Sequence, residues 1–405
     1  MLDKPVRRDF VAITSSVAVL GIGVGSTLPL TALVLTARGF GPEVVGWMTA
    51  AVAAGGVAGT LASPRTTLRF GRRRVMLSCV LAAAASVILL QYTESLAVWA
   101  ALRAVFGAAM APLFVIGEAW INSLPGDAVR GRVVALYTTS FTLCQVVGPA
   151  LTDAVARWPT QAYLICGAVF LLGIPGIALA RDAPAAAQPA LAAEHPDDAR
   201  RPVKDTAASW MTIVRTAPAI VAGTAVFAAF DNITLSFLPL FALEQGMTQR
   251  RALAAVVIVF AGDATMQFAA GWLADRFGQA RVHRLSGLGM CGLLPLLPAL
   301  SGIPGLWEFY LFVLGGVAGS IYTLSMILSG ERFSGAALLR ASGLIALAWN
   351  LASSVGPAIT GLVVQHFGGR AMTAVLWIMA LGFVWTTHRR RWPSAAPTIS
   401  PVEPQ

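Results

Sequence analysis

Two acidic residues stand inside long apolar stretches of this sequence, where a charged side chain is expensive. Asp231 is followed by Asn232 in the middle of one stretch, and Asp263 lies in the next with Gln267 four residues further on. A carboxylate at the depth of a bilayer costs about 3 kcal/mol, so each should face water or a partner. We expect Asp231 and Asp263 to bind a solute or a proton. The alternative is that hydrogen bonds between helices hold them.

Arg103 is the one basic residue that falls inside an apolar stretch, and it needs an acidic or carbonyl partner. Bonded to backbone carbonyl groups, it would simply lock two helices together. Glu118 follows after fifteen residues, which is about 22 Å along an α-helix, so the two side chains cannot pair. Arg72, in an adjacent loop, is a better partner for Glu118, and such a pair would brace a gate.

Polar and aromatic side chains also recur at steps of three and four residues in the stretch 133–156, which places them on one helix face. These residues are Tyr137, Thr138, Phe141, Thr142 and Gln145. The face would suit the wall of a cavity, although polar residues also hydrogen-bond between membrane helices. Weaker candidates for the same wall are Tyr322, Trp349 and Asn350.

The residue types used by enzymes are scattered. Four cysteines without CxxC spacing fall in apolar stretches, and four histidines are expected in loops and tails. The cysteines are Cys79, Cys144, Cys166 and Cys291, and the histidines are His195, His283, His366 and His388. Glycine pairs such as Gly55 and Gly59 have no preceding strand, so they indicate helix packing and not a nucleotide loop. We expect no enzyme, no catalytic residue, no metal and no cofactor.

The elements that must position these residues follow from composition. Of 405 residues, 57% are hydrophobic and 12% are charged, against roughly 25% charged in a soluble protein. Repeated apolar runs of about 20 residues indicate an all-α protein that crosses a lipid bilayer many times. Twelve transmembrane helices are predicted, at 10–37, 43–63, 75–92, 96–121, 133–156, 161–180, 217–243, 252–273, 285–301, 306–330, 342–365 and 371–387.

Charge and composition predict how the spans are oriented. An Ala/Pro-rich linker, 181–210, separates spans six and seven, and a basic tail, 388–405, is expected to be disordered. On one side of the predicted bundle lie 23 of the 29 Lys and Arg residues. The positive-inside rule puts that side, with both chain ends, in the cytoplasm. It also explains the net charge of +10 without nucleic acid as a partner.

The two halves of the chain repeat each other. The motif Ser26-Thr27-Leu28-Pro29-Leu30 recurs 210 residues later as Ser236-Phe237-Leu238-Pro239-Leu240, and Phe70-Gly71 recurs 207 residues later. Three more matches are separated by 208 residues: Gly107 with Gly315, Arg132 with Arg340, and Gly148-Pro149 with Gly356-Pro357. The repeat predicts two six-helix lobes related by pseudo-two-fold symmetry, 1–180 and 211–387, around a central cleft.

A charged turn, Gly271-Trp272-Leu273-Ala274-Asp275-Arg276-Phe277-Gly278, joins spans eight and nine. It resembles the G-x-L-A-D-R-x-G loop signature of the major facilitator superfamily of secondary transporters. Arg103-x-x-x-Gly107 and Gly148-Pro149 resemble the superfamily's fourth- and fifth-span motifs, and the likeness covers 10–387. The first-half loop keeps Gly71 and Arg72 but has Leu68 where the second has Asp275, while Gln279 and Met326 replace Arg72 and Glu118 in the second half.

The resemblance implies roles for these residues. Gly271 would let two helices approach closely, and Gly278 would reverse the chain. Asp275 would sit against the N-terminal end of span five near Arg132 and hold the lobes together when the cytoplasmic side is closed. Arg276 is expected to belong to the same gate. Arg103 would take part in proton coupling or in binding an anionic solute.

The function expected from these observations is secondary active transport of a small organic solute by alternating access, coupled to protons. Export of an amphipathic compound is slightly favoured over uptake of a sugar or small organic acid by symport. A polytopic membrane enzyme and a sensor on a transporter fold fit the sequence less well. We expect a monomer in the inner membrane, with the lipid bilayer, a small-molecule substrate and protons as its partners.

Overall fold

A computed structural model describes residues 4–123, 130–180, 210–333 and 335–388. The expected linker 181–210 and tail 388–405 lie outside these ranges apart from Trp210 and His388. The described residues form helices and turns, without a strand. The helices are α1 (Lys4–Ala37), α2 (Pro42–Phe70), α3 (Arg72–Leu89), α4 (Leu96–Ser123), α5 (Arg130–Val155), α6 (Ala162–Leu171), α7 (Ile174–Leu179), α8 (Trp210–Thr216), α9 (Pro218–Glu244), α10 (Gln249–Phe277), α11 (Gln279–Leu293), α12 (Leu297–Leu300), α13 (Leu306–Arg332), α14 (Gly335–Phe367) and α15 (Ala371–His388).

These helices supply the twelve predicted membrane spans. Within the described residues, nine helical segments are each long and apolar enough to cross a bilayer, and α10 is a tenth that bends by 40° between Gln267 and Ala269. The polar-rich α5 and the segment from α11 through a 3-10 turn to α12 complete the set. Since the spans alternate in direction, Lys4 and His388 lie on one face of the bundle, which we call the chain-end face; the other is the far face.

Several helices extend past the predicted spans, and two of these extensions lie at the charged turns. The second span was expected to end at residue 63, but α2 continues to Phe70 because Arg65 and Arg69 stay helical beyond the apolar zone. The ninth was expected to begin at residue 285, but α11 begins at Gln279. The prediction that His283 lies in a loop was therefore wrong, because hydropathy locates the apolar zone and not the helix that extends past it.

The packing of the helices repeats between the two halves. In the first half α1 packs on α5, α2 on α4, and α3 on both α4 and α6. In the second half the same partners appear as α9 on α14, α10 on α13, and α11 on both α13 and α15. The two-lobed fold predicted from the sequence repeat is confirmed.

Helix crossings repeat at the level of single residues. Where α2 crosses α4, a Cβ added to Gly55 or Gly107 would collide with the facing backbone, and the same holds for Gly262 and Gly315 where α10 crosses α13. The carbonyl groups they would meet are those of Ala104, Val52, Phe312 and Val259, respectively. Lipid gives helices no hydrophobic drive to associate, so such close approach supplies the packing energy.

The turns after α2 and α10 also match. Gly71 and Gly278 have φ angles of 83° and 90°, a region that side chains rarely adopt and glycine enters freely. The Gly71 N–H donates to the Thr67 carbonyl and the Gly278 N–H to the Ala274 carbonyl, each at 2.9 Å. Each glycine ends one helix and begins the next without an intervening loop.

The lobes meet where α2 packs on α14, α5 on α10 and α1 on α9. A Cβ added to Gly46 would touch the backbone of α14. The Ser354 hydroxyl donates to the Ala50 carbonyl at 3.2 Å, and the Thr49 and Ser236 hydroxyl oxygens lie 3.0 Å apart. These contacts lie in the half of α2 nearer the far face, so the lobes are joined there in this conformation.

Substituting Gly315 with Ala is expected to lower the free energy of unfolding by about 2 kcal/mol, because the methyl group would force α13 away from α10. On the same helix, no atom lies within 4 Å of a Cβ added to Gly330, so Gly330→Ala should be neutral or slightly stabilising. Thermal unfolding of both variants in detergent compares them. Equal midpoints would contradict the close crossing.

Candidate functional site

Asp231 and Asn232 lie on α9, which is buried along most of its length between its neighbours. The Asp231 side chain is 8% exposed. The Asn232 amide donates to the Ala228 carbonyl and to the Ser353 hydroxyl, each at 3.0 Å, and approaches the Asp231 carboxylate at 3.4 Å. Its shorter bonds therefore go elsewhere, which leaves Asp231 with one long contact to a donor.

Asp263 reaches the same region from α10. Its side chain is 4% exposed and packs on Gly319 of α13, where a Cβ would overlap the carboxylate. The Gln267 amide donates to it at 3.1 Å, as the spacing of four residues predicts. The helices α9 and α10 pack on one another and both pack on α13, so Asp263 lies on a helix that neighbours that of Asp231.

The two carboxylates share one feature among the described residues, which is the lack of a basic partner. Within the described ranges no ion pair joins Asp231 or Asp263 to Lys, Arg or His. Two acidic groups in a medium of low dielectric repel one another and lack water to disperse their charge. The pair is therefore a place where a cation, a proton or water binds favourably.

Three aromatic rings contact one another, and the first of them lies one helical turn from Asp231. Phe227, one helical turn before Asp231, stacks on Tyr322 at 5.2 Å between ring centroids with an interplanar angle of 16°. Trp349 contacts both rings, at 5.8 Å from Phe227 and 5.1 Å from Tyr322. Tyr322 lies one turn from Gly319, so α13 brings its ring to the same level as Asp263. Tyr322 and Trp349 were weak candidates from sequence, and Phe227 was missed although the four-residue spacing to Asp231 pointed to it.

These side chains form the carboxylate–aromatic site, which we define by seven residues on four helices of the second lobe. They are Phe227, Asp231, Asn232, Asp263, Gln267, Tyr322 and Trp349. Asn350, next to Trp349, donates to the Ala346 carbonyl at 2.9 Å. Its amide oxygen faces Gly56 of α2, so this end of the site lies at the boundary between the lobes.

The first lobe holds its candidates apart from this site. Arg103 is 0% exposed, and none of its three side-chain nitrogens is hydrogen-bonded to a described protein atom. Its guanidinium lies 5.8 Å from the Phe106 ring centroid. Gln145 packs its backbone on Gly21 and Gly25, which places it at the contact between α1 and α5.

Tyr137 is buried on α5 with its hydroxyl oxygen against Gly117 of α4. Like Gln145, it therefore lies at a contact between helices of the first lobe. The expected wall of polar residues on α5 is partly used for packing within the lobe.

The expected gate residues lie at the chain-end face. Asp275 is exposed and forms no ion pair within the described residues. Arg276 lies 5.7 Å from the ring centroids of both Trp272 and Phe277. No atom lies within 4 Å of a Cβ added to Gly271, so the close helix approach expected there is not made in this conformation, and α10 makes its crossing at Gly262.

Two of the expected gate pairs cannot be followed to both partners. Arg72 is buried with its guanidinium 4.8 Å from the Trp120 ring. The side chains of Glu118 and Arg132 lie outside the described residues. The pairs Arg72–Glu118 and Asp275–Arg132 therefore stay predictions.

A buried histidine was missed by sequence reasoning. His283 is fully buried on α11, its Nε2 lies 3.0 Å from the Ser325 hydroxyl oxygen, and its ring meets Phe383 edge to face. Gly223 of α9 leaves room for this contact, since a Cβ there would meet both polar atoms. The signal available in the sequence was Gly278, because a glycine that ends one helix can begin the next directly, as it does for α11.

The chain is similar to known proteins over most of its length. The family model for the Major Facilitator Superfamily matches residues 13–262 and 252–402. An uncharacterized MFS-type transporter, YcaD of Escherichia fergusonii, is 22% identical over 362 residues, which is 88% of each chain. The uncharacterized MFS-type transporter YfkF of Bacillus subtilis is 23% identical over 367 residues, 89% of this chain and 90% of the other.

Solved structures share the fold. A D-xylose–proton symporter superposes with a TM-score of 0.74 at 18% identity, covering 94% of this chain and 97% of the other. The nucleoside transporter NupG superposes with a TM-score of 0.72 at 11% identity, covering 95% and 99%. The family match, the twelve spans and the repeated lobes agree: this chain belongs to the major facilitator superfamily and is a secondary transporter, not an enzyme.

Proposed function

We propose that the protein is a monomeric, proton-coupled carrier that exports an amphipathic organic solute, with Asp231 and Asp263 exchanging protons for solute. The observation that carries this proposal is the pair of buried carboxylates without a described basic partner. A charge at this depth is retained where it serves transport, because an apolar residue would cost less.

The repeat offers an internal control for this argument. Asp263 corresponds to Gly56 at the separation of 207 residues, and Asp231 corresponds to Gly21 at the separation of 210. The first lobe thus builds the same helix packing with glycine at both positions. Neither carboxylate is needed to form a lobe of this fold, which supports a role in function over a role in packing.

Alternating access follows from where the lobes touch. The Ser354–Ala50 and Thr49–Ser236 contacts lie toward the far face, while Asp275 at the chain-end face is exposed. An exchange of these contacts for ones at the chain-end face would move the opening from one side of the membrane to the other. In the state that is closed at the chain-end face, we propose that Asp275 contacts Arg132, and we call this contact the clasp.

The three rings of the carboxylate–aromatic site favour an amphipathic solute. Phe227, Tyr322 and Trp349 offer a large apolar surface next to the acids. A compound of this kind also partitions into the bilayer from outside, and a proton gradient directed inward would drive its export in exchange for protons. We place both chain ends in the cytoplasm and the protein in the inner membrane, because the sequence predicts 23 of its 29 Lys and Arg residues on that side.

Removing either carboxylate should uncouple solute from proton movement. In proteoliposomes, Asp231→Asn and Asp263→Asn are each expected to reduce solute-driven proton flux at least tenfold, because an amide does not exchange a proton in this range of pH. The flux is read with a pH-sensitive dye inside the vesicles.

The control is Glu94→Gln, which neutralises an exposed carboxylate between α3 and α4 and should leave the flux unchanged. Thermal unfolding shows that each variant is folded. Full coupling of solute and proton movement in the double Asp231→Asn, Asp263→Asn variant would contradict the proposal. Proton flux in the same direction as the solute would replace export with symport.

Neutralising Asp275 should shift the balance between the two access states. In Asp275→Asn, the state closed at the chain-end face loses a contact worth about 1 kcal/mol, so its population falls roughly fivefold. Spin labels at the exposed positions Arg65 and Arg281, one on each lobe, report this as a larger share of long distances.

Solute affinity should change little, because Asp275 is remote from the carboxylate–aromatic site. The matched variant is Leu68→Asn at the equivalent position of the first lobe, which carries no acid. A distance distribution identical in all three proteins would rule out the clasp.

A further inference from the structure

The carboxylate–aromatic site has a marked imbalance of charge. It contains two acidic side chains and two amides, and within the described residues no basic side chain pairs with either acid. Arg103, the base at depth, is enclosed in the other lobe beside Phe106. An anionic solute would therefore meet two like charges in a medium of low dielectric, where repulsion is strong.

The amides of the site are already engaged. Asn232 donates to Ser353 and Ala228, Gln267 donates to Asp263, and Asn350 donates to the carbonyl of its own helix. A sugar or another polyhydroxylated solute needs several free hydrogen-bonding groups, since each unpaired hydroxyl costs free energy on burial. Because these amide nitrogens already donate within the protein, the site is less suited to a neutral polar compound than to a cation.

The aromatic rings favour positive charge as well as apolar surface. The face of an aromatic ring carries negative electrostatic potential, and it attracts a cation within about 6 Å. Tyr322 and Trp349 are partly exposed, and the rings of both contact Phe227. Their rings share helices α13 and α14 with Gly319, which contacts Asp263, and with Ser353, which contacts Asn232.

We propose that the solute is an amphipathic organic cation, whose positive centre binds between Asp231 and Asp263 while its apolar body lies against Phe227, Tyr322 and Trp349. This inference rests on the proposed transport function and specifies its substrate class. A cation satisfies both acids at once, and its bulk covers apolar rings that water hydrates poorly. The five side chains used for this, all in the second lobe, include no basic residue that could bind an anion.

Three probes of similar size and different charge test the class. They are tetraphenylphosphonium, which is cationic, triphenylphosphine oxide, which is neutral, and tetraphenylborate, which is anionic. Equilibrium binding of each to the full-length protein in detergent is measured against the double Asp231→Asn, Asp263→Asn variant, which corrects for partition into micelles. We expect specific binding of tetraphenylphosphonium alone.

Single variants locate the two halves of the site. Asp231→Asn should weaken binding of tetraphenylphosphonium at least tenfold, because a buried ionic contact is lost. Trp349→Leu should weaken it about three- to tenfold, while Trp349→Phe keeps most of the affinity because it keeps a ring. Glu94→Gln should bind as the wild type does, which shows that the total charge of the protein is not responsible.

Two outcomes would overturn the inference. One is that the oxide or the borate binds as tightly as the phosphonium. The other is that tetraphenylphosphonium binds the double variant as well as it binds the wild type. Retention of the thermal midpoint by the single variants excludes misfolding as the cause of a lost signal.

Failure of the substrate class and failure of the transport function can be told apart. Proton flux in proteoliposomes driven by D-xylose or uridine, without binding of the phosphonium, would support a proton-coupled carrier and reject an organic cation as its solute. Phosphonium binding that depends on Asp231, without proton flux for any probe, would support the cation-binding site and reject proton coupling.

Discussion

The whole molecule depends on the close approach of helix backbones at four glycines. Gly55 and Gly107 bring α2 against α4, and Gly262 and Gly315 bring α10 against α13, with no space for a Cβ at any of them. In a bilayer the association of helices rests on such packing because lipid tails are as apolar as the side chains they would replace. Once these crossings are made, the position of every polar side chain on α10 relative to α13 is fixed. Asp263 meets Gly319 for that reason.

The same scaffold therefore carries two different sets of side chains. In the first lobe the equivalent positions of α1 and α2 hold glycine and serve packing alone. In the second lobe they hold Asp231 and Asp263, and the surrounding helices add three aromatic rings. A duplicated framework allows this division. The first lobe has glycine at these positions, while the second lobe has buried carboxylates whose burial costs free energy. The buried Arg103 of the first lobe is the converse case, a base that lies beside the Phe106 ring.

Much of this architecture can be predicted from the sequence because it is periodic or repeated. Apolar runs locate the twelve spans, and the separation of 207 to 210 residues between matching motifs predicts two lobes. The faces that meet are harder to predict. Gly271 and Gly262 look alike in sequence, but only the second lies at a crossing. His283 follows a charged turn and precedes the apolar run, yet α11 begins early enough to bury it. The grouping of Phe227, Tyr322 and Trp349 comes from three distant helices, and no local pattern records it.

Two neighbouring serines on α14 link parts of the structure that are otherwise separate. Ser353 accepts a hydrogen bond from Asn232, the residue next to Asp231, while Ser354 donates to the Ala50 carbonyl across the lobe boundary. The hydrogen bond from Asn232 and the contact between the lobes are thus one peptide unit of α14 apart. Since consecutive residues of an α-helix keep a fixed rise and rotation, both contacts move when α14 moves. One peptide unit of α14 therefore connects the hydrogen bonds around the acidic pair with the contact between the two lobes.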